Sequence, residues 1–221
     1  MDIELNPIEV RVLGCLIEKE VATPDNYPLT LNALINACNQ KSNRSPVMAL
    51  DEETVMRMLG ELRMTHQLAI EVTSNESRVA KYKHCLPNRW AFSPAQTAIL
   101  CELFLRGPQT PGDLRAHASR LHPLADRNEV EEILQGLNEC EDGPFVVHLP
   151  REPGKREQRW AHLFSGTPEI EAQTERSEDT GFSTGPTTGE RLQTLESEVA
   201  ALREELDELK ATFTEFKTAF E

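Results

Sequence analysis

Val12, Leu13, Leu16 and Ile17 follow one another at helical spacing, and Ile99, Leu100, Leu103 and Phe104 repeat the pattern 87 positions later. Each run opens on a capping signal: Asn6-Pro7 with Glu9 before the first, Ser93-Pro94 with Gln96 before the second. Asn or Ser satisfies an orphan backbone N–H, Pro suits the first helical position, and Glu or Gln three residues on completes a capping box. Thr23-Pro24 and Thr110-Pro111 follow their openings by the same 17 residues, so the chain carries an internal repeat.

The elements after each opening helix also recur. In the first copy, Leu29 to Asn39 reads as a second helix with Leu31, Leu34, Ile35 and Cys38 on one face. Asp51 caps a third, carried by Val55, Leu59 and Leu62. Leu68–Val72 and Arg78–His84 alternate like strands around the turn Ser74-Asn75-Glu76-Ser77. The second copy offers a helix from Thr110, another capped by Asp126 with Glu129, and strands Phe145–Leu149 and Arg159–Phe164 around a loop. Three helices and a two-stranded wing, twice, predict a mainly helical α+β chain. Its first winged helix-turn-helix domain spans residues 1–90 and its second residues 91–165.

Beyond that the pattern changes twice. Residues 166–189 are rich in Thr, Ser, Gly, Pro and Glu, which predicts a disordered acidic linker. Residues 190–221 then read as a coiled-coil helix, with Leu192, Leu195, Val199, Leu202, Leu206, Leu209, Phe213, Phe216 and Phe220 spaced alternately by three and four. In a parallel pair the flanking residues meet as Arg191–Glu196, Glu198–Arg203 and Glu205–Lys210, all of opposite sign. A parallel homodimer is the expectation.

Charge matters here only through its distribution. The chain of 221 residues carries a net charge of −14. Residues 1–91 hold 10 basic and 12 acidic residues, residues 92–165 hold 8 and 11, and residues 166–221 hold 5 and 14. The acidity sits in the tail, so the total does not exclude nucleic acid from the front two thirds. Five scattered cysteines without C-x-x-C spacing argue against a disulfide framework or a zinc site, and for a reducing compartment. The acidic start Met1-Asp2-Ile3-Glu4 and the lack of a membrane-length apolar run point to the cytoplasm, with no membrane partner. The longest apolar stretch, Ala98 to Leu105, is interrupted by Glu102.

No catalytic constellation emerges. His66, His84, His117, His122, His148 and His162 occupy different elements, and no nucleophile elbow, phosphate loop or dinucleotide motif is present. The expectation is a non-enzymatic protein with no cofactor and no metal. Basic residues carry the better signal: Lys41 and Arg44 before the third helix, Arg78, Lys81 and Lys83 on the first wing, and Arg151, Lys155, Arg156 and Arg159 on the second. Such positions commonly meet phosphates. The third helices point the other way. The first opens Asp51-Glu52-Glu53 and presents Met56, Arg57, Gly60, Glu61 and Met64, while the second presents Arg127, Asn128, Glu131, Glu132, Gln135 and Glu139. Acid opposes DNA phosphates, and exposed Met suits a protein surface.

Glu9 to Met48 (EVRVLGCLIEKEVATPDNYPLTLNALINACNQKSNRSPVM), Leu105 to Arg115 (LRGPQTPGDLR) and Glu141 to Gly166 (EDGPFVVHLPREPGKREQRWAHLFSG) together resemble the bacterial YceH family over roughly residues 3–166. The resemblance implies tandem winged helices and brings no activity, cofactor or site residue. Two functions therefore stand from the sequence. The favoured one is a DNA-binding regulator that contacts duplex DNA through its wings and the Lys41–Arg44 loop. The alternative is a protein-interaction scaffold without nucleic acid.

Overall fold

The computed structural model describes residues 3–74, 77–151, 154 and 157–166, apart from the side chains of Ser74, Ser77 and Arg78. The expected linker and coiled coil lie outside the described residues, except for Gly166 at the linker's start. Helix α1 spans Pro7–Ala22, α2 Leu31–Cys38 and α3 Glu52–Met64, and the hairpin β2–β3 spans Ala69–Ser74 and Ser77–His84. A short helix α4, Leu86–Arg89, leads to α5 (Pro94–Arg106), α6 (Pro111–Ala118), α7 (Arg127–Asn138) and the hairpin β4–β5, Val146–His148 with Trp160–His162. Three helices followed by an antiparallel hairpin thus occur twice, an α+β arrangement with small antiparallel sheets.

The local signals act as their chemistry requires. Asn6 Oδ1 accepts from Ile8 N and Glu9 N while Glu9 Oε2 accepts from Asn6 N, a complete capping box. Ser93 and Gln96 reproduce it at α5. Asp51 and Asp126 cap α3 and α7. Thr110 caps α6, but Thr23 does not play the same part: it precedes a three-residue 3-10 turn, Pro24–Asn26, and α2 is capped by Thr30. The extra residues in the first copy form a two-residue strand, β1 (Leu29–Thr30), which pairs with Tyr82 and Lys81 to make a third strand. The second copy keeps a residue-sized counterpart, with Gln109 exchanging both backbone bonds with Trp160 (3.0 and 2.8 Å).

The two halves share one core. Buried residues of α1, α2, α3 and α5–α7 form a single apolar cluster, and α1 lies directly against α5. Gly14 permits the approach, because a Cβ placed there would stand 3.0 Å from both Phe104 Cβ and Leu105 Cδ2. Cys101 Sγ donates to Gly14 O across this contact (3.4 Å). The N-terminal segment crosses over as well: Leu5 N donates to Phe164 O at 2.6 Å. Trp90, at the end of the first half, joins Phe92, Phe104, Phe145 and Phe164 of the second in a run of tilted, edge-on and stacked rings.

Candidate functional site

Building from the residues upward, the loop between α2 and α3 is the decisive segment. Asn39 ties its ends together, donating from Nδ2 to Leu50 O and accepting at Oδ1 from Leu50 N. Ser45 N donates to Leu105 O of α5, so the loop turns into the seam between the halves. Arg44 goes with it, and this corrects the expectation that it meets phosphate. Its guanidinium is fully buried and is consumed by Glu18 (2.6 and 3.1 Å), Ala37 O and Gln40 Oε1. An arginine satisfied in this way has no donor left for a ligand on the surface.

Glu18 and Arg44 belong to a larger ionic chain. Arg120, just beyond α6, bridges Glu18 Oε1 (2.8 Å) and Glu102 Oε1 (2.6 Å), while Arg106 pairs with Glu102 Oε2 and bonds Asn43. Two buried carboxylates, one from each half, are thus neutralised by arginines from both halves. Burial alone would raise the Glu18 carboxyl, but the Arg44 hydrogen bond and the surrounding cations hold it down at about 2. Arg44 and Arg120 are correspondingly pushed up despite burial, by those carboxylates. The sequence marked this cluster only faintly, through Glu102 inside an apolar run.

The remaining basic candidates differ in exposure. Lys41 is exposed; Lys81 and Lys83 are half-buried on β3. Arg151 is exposed and Arg159 half-buried, and both already interact with other groups. Lys155, Arg156 and the side chain of Arg78 lie outside the described residues, as do Leu192, Leu195, Val199, Leu202, Leu206, Leu209, Phe213, Phe216 and Phe220. On α7, Arg127 is held by Glu131 and Glu157, both at 2.8 Å.

The outer face of α3 matches its expected composition. Met56 and Met64 are exposed, at 52% and 79%, beside the exposed Glu52, Glu53, Arg57 and Glu61. All the exposed large apolar side chains among the described residues (Val21, Val47, Met56, Met64, Ile70 and Val79) belong to the first half. Free apolar surface is therefore unevenly shared between two similar halves.

The histidines sit in separate settings. His84 Nε2 is 2.7 Å from Glu20 and its Nδ1 accepts from Leu86 N; burial lowers its pKa. His117 Nδ1 lies 2.6 Å from Gln109 Oε1, and His66 stands 3.6 Å from Glu9. Among the described residues no three His, Cys, Asp or Glu side chains gather as a metal site would need. No helix among them is long and apolar enough to cross a membrane.

The repeated helix–helix–helix–hairpin unit and its ionic seam describe a class of chain without assigning it an activity. The family model described as "Protein of unknown function, DUF480" matches residues 5–155. A UPF0502 protein of Geobacter sulfurreducens is 52% identical over the whole of both chains. A UPF0502 protein of Pelobacter propionicus is 47% identical, again over the whole of both, and one of Vibrio vulnificus is 49% identical over 96% of this chain and 97% of its own. The chain belongs to this family, for which YceH is another name, so the resemblance read from the sequence is borne out.

Proposed function

We propose that this is a non-enzymatic protein-interaction module. Each half is a winged helix, the ionic seam fixes one to the other, and the exposed face of α3 is a docking surface for a protein partner. The tail pairs two copies in parallel through its heptads. The observation that carries the reading is the composition of α3, the helix that would enter the major groove in a DNA-binding winged helix. It offers two exposed methionines and three exposed acids against one exposed base, Arg57. Flexible, polarisable Met side chains adapt to apolar partner surfaces, and the flanking acids favour a partner with basic residues around its apolar contacts.

The regulator reading is weakened by Arg44, which the seam consumes, and by Arg127, which two glutamates hold. Among the described basic candidates Lys41, Lys81, Lys83, Arg151 and Arg159 remain to it, and acid at the start of α3 opposes phosphate. Sedimentation velocity of the full chain, alone and with a fluorescent duplex at about 50 mM salt, tests both parts. The expected outcome is a dimer that reverts to monomer when the chain ends at Gly166, with the duplex sedimenting free. Duplex that moves with the protein, and is released as salt rises, would favour the regulator. A monomeric full chain would refute the pairing.

A further inference from the structure

A cavity of about 270 Å³ lies where the two halves meet. Its walls are largely apolar: Met48 comes from the α2–α3 loop, and Leu103 and Phe104 from α5. Exposed Pro46 lies at its rim. Arg11, His162, Ser45 and Ser165 are the polar side chains of this lining, and the first two are incompletely satisfied. Arg11, only 1% exposed, donates from Nη1 to Cys38 O (3.2 Å) and from Nη2 to Pro46 O (2.7 Å) and, at longer range, to Leu105 O (3.5 Å). Its Nε–H has no partner, and it makes no ion pair among the described residues. His162 of β5 is packed edge-on to Phe104, and its Nδ1 is likewise without a partner.

Buried donors are ordinarily satisfied, and a buried charge is ordinarily paired. The contrast within this molecule is sharp. Arg44 and Arg120, in the same seam, each have carboxylates. Arg11 has only carbonyl dipoles, leaving a full positive charge and a free donor beside an open space. We propose that this cavity binds a small monocarboxylate with an apolar body, its carboxylate facing Arg11 and His162 and its body against Leu103, Phe104 and Met48. Two donors match the two oxygens of one carboxylate. A phosphate would set a larger charge against the apolar walls of Leu103 and Phe104, at a greater desolvation cost than a monocarboxylate with an apolar body. The volume is slightly below the usual range for drug-sized ligands, which sets a small body. Such a ligand would touch both halves at once and so favour the assembled seam. Burial alone pushes the His162 imidazole down to about 4, which keeps it neutral and able to donate from one ring nitrogen.

The test uses the full chain with hexanoate and benzoate as probes, and hexanol and benzyl alcohol as neutral counterparts. Binding is read from the ¹³C-methyl resonance of Met48 and from the rise in Tm. Both acids should shift Met48, with the alcohols binding about ten-fold or more weakly, as loss of a charge-assisted hydrogen bond implies. Ser165→Trp fills the cavity at a half-buried position and should abolish binding. His162→Leu should weaken the acids about ten-fold while sparing the alcohols. Arg11→Met should remove the preference for acids; if it does not fold, the other two variants carry the test. Alcohols binding as well as acids would overturn the anion assignment. An unperturbed Met48, or unchanged binding in Ser165→Trp, would overturn the site.

Discussion

Replacing Glu18 with Ala should cost about 3–5 kcal/mol, read as the change in urea unfolding free energy. Glu18 is 1% exposed and receives both Arg44 and Arg120. Arg120 keeps Glu102 when Glu18 is removed, but Arg44 does not recover a partner and stays buried with its charge uncompensated. That stranded cation, more than the lost attraction, sets the size of the effect. Glu18→Leu combined with Arg44→Met removes both charges together and should recover most of the loss. The pH dependence follows in sign. The folded carboxyl titrates near 2 against an ordinary 4.5, so its contribution is complete above the ordinary range and is lost as pH falls from there through about 2. The acid limb of the stability curve should be shallower in Glu18→Ala than in the parent. An equal acid limb in both would mean that Glu18 is not held down as described.

The second large effect concerns the crossing of α1 and α5. Gly14→Leu should destabilise by about 3 kcal/mol or more, because the first added carbon already meets Phe104 Cβ at 3.0 Å, an atom that cannot swing away. Gly14→Ala sets two effects against each other. Helix propensity favours Ala by about 0.5–1 kcal/mol, while forced overpacking costs about 1–3 kcal/mol, so a net loss is expected. Gly60, on the open side of α3, has nothing within 4 Å of an added Cβ. Gly60→Ala should therefore gain the propensity alone, about 0.5–1 kcal/mol. If Gly14→Ala and Gly60→Ala shift stability equally upward, the close contact between the halves is absent.

Much of the fold was legible because its punctuation is local. Asn6, Ser93, Asp51 and Asp126 each act within three residues, and the helices begin where those signals stand. The strand β1 was missed because two residues carry no periodicity, and Leu29–Thr30 is a strand only because Tyr82 and Lys81 lie beside it. The same limit governed the site. Arg44 sits in a polar stretch that reads as surface, and nothing nearby announces Glu18, 26 residues earlier, as its partner. Arg120 is 102 residues from that same carboxylate. Met56 and Met64, by contrast, were placed correctly outside, since a helix with Val55, Leu59 and Leu62 inside leaves them no other face.

The docking role of α3 is tested most directly by placing a photo-cross-linking amino acid at Met64 in the full chain inside cells, with a second version at Glu132, an exposed position on the corresponding helix α7 of the other half. Discrete protein adducts should form from position 64, be lost when Met56→Glu is added, and be absent from position 132. Adducts to nucleic acid at position 64, or the same protein adducts from both positions, would contradict the account.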